Sequence, residues 1–331
     1  MLNFNNTYYL LTPNYLKIIF SLCISLQFQI AFCQDAEFTQ FYSNPVYLNP
    51  AFAGTNNCPR LSTNHRSQWT GLPEIFNTTS FSYDQNISKI HGGFGFMLLS
   101  DRLNNSIQNN RISGMYSYQI KISEKIRLRA GLEATIWQNK FDQSQLTFVD
   151  MIDPIRGFVY STANNTLNNS KNGIDFSSGV LAYSDRLFIG FSTHHLTEPQ
   201  QSLHDEESKL ERKYSLNIGY HIPVNNQNSF KDKWIISPNI IFKKQGLNEQ
   251  LNIGIYGEKG AYVLGLWYRD NQNYAFLVGA KVGLIKIGYS YDINLSRLYL
   301  ASSGSHEVSI QINFQCDNKN SNIQSFSCPS F

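Results

Sequence analysis

Residues 274–292, YAFLVGAKVGLIKIGYSYD, decide the fold, because their side chains alternate with almost no break. Tyr274, Phe276, Val278, Ala280 and Val282 share one parity, and Leu277, Gly279, Lys281 and Gly283 the other. One residue later the pattern restarts, with Ile285, Ile287, Tyr289 and Tyr291 against Lys286, Gly288, Ser290 and Asp292. A period of two is the period of a strand, so the stretch predicts a β-hairpin. Lys281 and Asp292 share a face with glycines, which suits an aqueous or crowded interior; the apolar, aromatic face looks toward lipid or another sheet.

The alternation recurs outward from this hairpin. It runs through Phe94, Phe96 and Leu98; through Ile112, Tyr116, Tyr118 and Ile120; and through Ile126, Leu128, Ala130, Leu132, Ala134 and Ile136, opposed by Arg127, Arg129 and Glu133. Further runs cover 176–183, 187–191, 216–222, 234–242, 251–255, 262–268 and 308–314, and two weaker ones lie near 60–69 and 76–84. The expectation is an all-β fold, a transmembrane antiparallel β-barrel of about fourteen strands. Long connections rich in Asn, Ser and Asp, at 141–174, 195–212, 221–233 and 294–305, contrast with tight ones at Ser184-Asp185 and 270–272. Periplasmic turns and external loops should alternate in this way.

Composition agrees with a barrel. Charged residues are 15% and aromatics 14% of the 331 residues, with 19 Tyr and 23 Phe. A mean hydropathy of −0.30 fits a polar lumen averaged with a lipid-facing surface. The competing architecture is an exported soluble sandwich. A net charge of +3 without a basic run leaves no electrostatic footprint for nucleic acid.

Residues 17–33, KIIFSLCISLQFQIAFC, form the only long apolar run. Lys17 precedes it, small Ala31 and Cys33 occupy the −3 and −1 positions, and polar Gln34-Asp35 follows, so 1–33 reads as a signal peptide. An acylated Cys33 is the alternative end of this leader, opposed by bulky Phe32 where such a signal takes a small residue. The domain expectation is an N-terminal arm over 34–57, the barrel over 58–315 and a polar tail over 316–331. Of five cysteines, Cys58, Cys316 and Cys328 lie in the body, and their spacing and odd number show neither a disulfide framework nor a metal pattern.

The arm carries FTQFYSNPVYLNPAFAG (38–54), in which Asn44-Pro45 and Asn49-Pro50 recur among aromatics. Each Asn-Pro favours a turn and denies a ladder N–H, so an ordered, non-strand segment is expected. Phe38, Phe41, Tyr42, Asn44, Pro45, Tyr47, Asn49 and Pro50, together with Trp69, are the candidate partner-binding residues. The segment is either a plug or docking element at the barrel mouth, or a packed N-terminal arm.

Little else suggests chemistry. His194-His195 with Glu198 resembles a metal set, but adjacent histidines on a strand point to opposite faces, and a strand end running into a turn at Pro199 accounts for them. Asp150 and Asp153 in FVDMIDP fit an Asx-type turn better than a cation site. His91-Gly92-Gly93-Phe94-Gly95 opens a strand rather than a helix and so is no phosphate cradle. No catalytic residue, metal ligand or cofactor site is expected.

Several segments do discriminate: FTQFYSNPVYLNPAFAG, HRSQWTGLPEIFNTTSFSYD (65–84), LTFVDMIDP (146–154), FSSGVLAYSDRLFIGFSTHHLTEP (176–199), ERKYSLNIGY (211–220) and SHEVSIQINF (305–314). Together they resemble the PorP/SprF family of outer-membrane proteins associated with the bacterial type IX secretion system, over nearly all of the chain after the leader. The resemblance implies a non-enzymatic outer-membrane barrel supporting secretion or surface attachment of large adhesins that carry C-terminal sorting domains, in some cases for gliding motility. The implied partners are the lipid bilayer, a secreted adhesin's C-terminal domain, and other type IX components, either a periplasmic ring or peptidoglycan-linked proteins. The alternative is a passive porin or small-solute channel. The chain departs from the family pattern in its leader and its Cys-containing tail.

Overall fold

In the computed structural model the described residues are 35–316, apart from 57, 73–74, 105, 143–148, 154, 159–169, 202–208, 225–233, 271–272 and 296–302. The leader, Cys33, Cys328 and the tail beyond Cys316 lie outside them. Alternating runs become strands β1 (Arg60–Gln68), β2 (Phe76–Ile87), β3 (Gly92–Leu103), β4 (Ile107–Lys121), β5 (Arg127–Phe141), β6 (Ser170–Tyr183) and β7 (Leu187–His194). They continue as β8 (Lys213–Tyr220), β9 (Trp234–Gln245), β10 (Asn248–Lys259), β11 (Tyr262–Arg269), β12 (Asn273–Val282), β13 (Ile285–Asn294) and β14 (Ser305–Asn313). Each strand pairs antiparallel with the next, and β14 returns to β1 in a register running from Arg60 opposite Asn313 to Gln68 opposite Ser305. The result is a closed barrel of fourteen strands. Closure gives every strand a partner on both sides, the condition for a sheet to cross lipid.

Parity sorts the side chains as the sequence predicts. On β12, Phe276 and Val278 are 52% and 50% exposed, while Ala275 and Leu277 between their neighbours are 0% and 3% exposed. On β5, Leu132 and Ile136 face outward, and Arg127, Arg129 and Glu133 are buried inside. Large inward aromatics sit over a glycine directly across the ladder: Trp137 opposite Gly173, Phe188 opposite Gly219, Tyr256 opposite Gly265 and Trp267 opposite Gly254. A Cβ on Gly254 would stand 2.1 Å from the Trp267 indole, so glycine there is what lets the ring lie flat on the wall.

The two barrel ends differ. At the end where β1 starts and β14 finishes, the connections include 88–91, 122–126, 184–186, 260–261 and 283–284. At the other end are 69–75, 142–169, 195–212 and 295–304. Four connections break the simple alternation: 221–233 is long at the tight-turn end, and 104–106, 246–247 and 270–272 are tight at the loop end. The first is partly strand, because Ile222–Val224 continues to pair with β9 as far as Trp234.

A disulfide joins Cys58 to Cys316, with Cα atoms 5.6 Å apart. The sequence showed no disulfide framework, because an odd number of cysteines and a separation of 258 residues left this pairing illegible. Pairing of β1 with β14 brings the two together, and the Phe314 N–H donates to Pro59 O at 3.0 Å beside them. The bridge crosses the boundary drawn between barrel and tail at 315/316.

Candidate functional site

The arm enters the barrel at the tight-turn end and runs up the lumen, so that residues 53–54 lie beside Asp84, Gly93 and Arg129, and Asp35 lies beside Arg111, His195 and Lys213 near the loop end. Both Asn-Pro pairs open a helical turn. Helix α1 spans Pro45–Leu48, a 3-10 turn spans Pro50–Phe52, and each begins with proline, whose missing N–H costs nothing at a first helical position. Asn49 caps the 3-10 turn by accepting from Ala51 N at 2.8 Å, while its Nδ2 donates to the wall carbonyls of Val180 and Phe191. Asn44 directs its whole amide at β2, donating to Ser80 Oγ at 3.0 Å and accepting from Ser82 Oγ at 2.9 Å.

Glycines on the inner wall make room for this turn. A Cβ on Gly131 would stand 2.4 Å from Ala51 N, one on Gly93 2.3 Å from Ala53 O, and one on Gly179 2.0 Å from Asn49 Oδ1. Aromatic contacts follow. Tyr42 meets Phe188 and Tyr256 edge-on at ring-centroid distances of 5.7 and 6.1 Å, and Phe41 meets Trp267 at 4.8 Å. Phe38 lies 5.2 Å from Tyr47, whose hydroxyl donates to Ala36 O.

Charges dominate toward the loop end. Asp35 receives Arg111 at 2.8 Å, His195 at 2.8 Å and Lys213 at 3.3 Å, and Glu37 receives Lys243 at 2.9 Å. The Thr39 hydroxyl donates to Asp292 at 2.7 Å and accepts from Arg269 at 2.8 Å and from Arg66. Gln40 donates to Glu307 O at 3.0 Å. Burial alone would raise the Asp35 pKa, but His195, Arg111 and Lys213 outweigh it and hold the carboxyl well below the usual range. Burial likewise opposes Glu37, which Lys243, Arg269 and Lys213 nevertheless bring down to about 2. Burial pushes the Tyr47 phenol up to about 12.

The two histidines do not point to opposite faces. Strand β7 stops at His194, and His195 takes a left-handed backbone (φ 59°), so both rings turn inward. His194 lies 3.3 Å from Leu48 O through Nε2. His195 places Nδ1 2.6 Å from Asp175 and Nε2 2.8 Å from Asp35, so a ring donating to both carboxylates is an imidazolium. Glu198 is not with them; it pairs with Arg212 at 3.1 Å. Asp153 forms the expected Asx turn, accepting from Ile155 N and Arg156 N at 2.8 Å each.

The structure therefore brings Phe38, Phe41, Tyr42, Asn44, Pro45, Tyr47, Asn49 and Pro50 together inside the lumen and sets Trp69 apart. Trp69 is half-buried at the loop end, its N–H donating to Gly304 O at 3.0 Å and its ring edge-on to Phe76 at 5.3 Å. Asp35, Glu37, Thr39 and Gln40 belong to the site although their types gave no signal; the inward parity of the wall charges was the cue available. Two small cavities lie between arm and wall, of about 30 and 20 Å³, one beside Asp35, Glu133 and Trp137 and the other beside Phe41, Lys213 and Lys243. Among the described residues no group of three or more His, Cys, Asp or Glu is arranged to hold a metal ion.

Residues 30–312 match the family model described as type IX secretion system membrane protein PorP/SprF. Among solved structures, the chain is similar to the Ralstonia pickettii toluene transporter TbuX, with 11% identity, coverage of 82% of this chain and 93% of that chain, and a TM-score of 0.45. It is also similar to the Acinetobacter baumannii outer membrane protein Omp33, with 6% identity, coverage of 79% and 100%, and a TM-score of 0.41. Similarity to the KdgM porin is at 10% identity, with coverage of 77% and 99% and a TM-score of 0.38. The comparison with curated protein sequences finds no match.

Proposed function

This chain belongs to the PorP/SprF family of type IX secretion system membrane proteins, and on that premise we propose that it supports secretion or surface attachment of a large adhesin through the adhesin's C-terminal sorting domain. It is an outer-membrane β-barrel, with family and fold those of a secretion or channel barrel rather than of a known enzyme class. On this reading the end carrying the tight turns and both barrel termini is periplasmic, and the long loops face outward.

The observation that carries the proposal is the filled lumen. A passive porin needs a continuous aqueous path, whereas here the arm is packed from Asp35 to Thr55 against the wall, with small cavities of about 30 and 20 Å³ beside it. A barrel built this way is suited to hold and present a partner, with the outer loops and the half-buried Trp69 at one mouth and periplasmic type IX components at the other. Gliding motility is the cellular readout where the adhesin serves it.

Replacing Tyr42 and Tyr47 together with Ala tests the arm's part in this. The expected outcome is a barrel that keeps its heat-modifiable mobility while surface labelling of the cognate adhesin falls. Unchanged display on a folded barrel would remove the arm from the function.

A further inference from the structure

The buried arginines and lysines of the wall near the loop end fall into two groups, with the wall carboxylates Glu133 and Asp175 lining the same cavity as Arg111 and Lys213. Arg66 and Arg269 meet carboxylates of the wall itself, Asp292 at 2.6 and 3.4 Å, and Arg66 also meets Glu307 at 3.5 Å. Arg111 on β4, Lys213 on β8 and Lys243 on β9 do not. Among the described residues their ion pairs run only to the arm, Arg111 and Lys213 to Asp35 and Lys243 to Glu37. Their side chains are only 13%, 9% and 9% exposed. Removing one partner of a buried ion pair leaves a charge whose desolvation nothing offsets. The wall as built therefore requires an anionic occupant.

The arm meets that requirement with the segment farthest from its attachment to β1. Its two halves are held differently: residues 49–54 by backbone contact with wall glycines and by hydrogen bonds, including Gly54 N to Asp84 and Arg129 to Ala53 O, and residues 35–39 by ion pairs of their own carboxylates as well as hydrogen bonds. Phe41 completes the upper segment, with Lys243 Nζ 4.8 Å and Arg269 Cζ 5.4 Å from its ring centroid. The upper half can thus exchange for another anionic chain while the lower half stays rooted.

We propose that the loop end of the lumen is a binding site for a peptide segment bearing two carboxylates followed by an aromatic residue. Arg111, Lys213 and Lys243 recognise it, and residues 35–41 are its resident occupant. An acidic segment of the exported client displaces that occupant; the client's identity rests on the function proposed above, whereas the site rests on the charges alone.

The test uses the full chain in detergent micelles and a labelled synthetic peptide, DAEFTQFYS, copied from residues 35–43. The Asp35→Asn/Glu37→Gln variant, whose own arm holds the site weakly, should bind this peptide about tenfold or more tighter than wild type, one or more charge-assisted contacts having been lost. The analogue with Asn and Gln in place of the acids should bind about tenfold weaker, and adding Lys213→Gln and Lys243→Gln should remove binding. Equal binding by variant and wild type, indifference to peptide charge, or equal competition by inorganic phosphate would overturn the assignment. If the double variant does not fold, Glu37→Gln alone leaves Asp35 and its three partners in place, and binding must then depend on Lys243. Charge-independent peptide binding with adhesin display still dependent on the arm sinks this inference and leaves the secretion role standing. Charge-dependent binding with display unaffected keeps the site and removes the client as its occupant.

Discussion

Gly131 shows how closely wall and arm are matched at the residue scale. An added Cβ there would stand 2.4 Å from Ala51 N and 2.5 Å from Pro50 C, backbone atoms that cannot move without shifting the 3-10 turn. Gly131→Ala should therefore lower the urea midpoint by an amount equivalent to about 1–3 kcal/mol, the usual cost of overpacking. Gly114→Ala, on the outer face with nothing within 4 Å, should leave the midpoint where it is. His195 carries a second lesson at this scale. Its sequence neighbourhood suggested a strand end, but a left-handed φ of 59° reverses the ring's direction and sets it between Asp175 and Asp35. Backbone handedness at a strand terminus is not written in the residue type, since even histidine, though enriched at positive φ, adopts it in a small minority of cases.

At the scale of the element, the arm should respond to acid in two halves. Glu37 has its carboxyl brought from 4.5 to about 2, and Asp35 shifts in the same direction. A depressed folded pKa gives stabilisation that is present above the unfolded value and lost as pH falls toward the folded one. Protection of the backbone amides over 35–41, taken relative to the intrinsic exchange rate at each pH, should therefore fall as pH drops from about 4.5 toward about 2, while 49–54, held without ion pairs, stays protected longer. Equal loss of protection in both halves would contradict the division. The strands were legible because parity acts over neighbouring residues: Phe276 and Val278 outside, Leu277 inside, follow from period two. The Asn-Pro turns were legible for the same local reason. The ion pairs were not, because Asp35 lies 76, 160 and 178 residues from Arg111, His195 and Lys213, and only barrel closure brings them together. The pairing of inward aromatics with glycines across the ladder was equally hidden until register was known.

At the scale of the molecule, the disulfide and the plug act on the same structure. Cys58–Cys316 ties the chain just before β1 to the chain just after β14, across a separation of 258 residues. In the chain-entropy account a loop of that size is worth on the order of 5 kcal/mol. Truncation after Gln315 and the Cys58→Ser/Cys316→Ser variant should therefore lower the unfolding midpoint alike. A truncation more damaging than the double serine variant would assign further structure to the tail. A closed seam around a filled lumen is what distinguishes this account from a passive pore. The most direct measurement is the conductance of the wild-type full chain in planar bilayers: the account predicts insertion without steady ohmic current, and a stable open pore of porin-like conductance would contradict it.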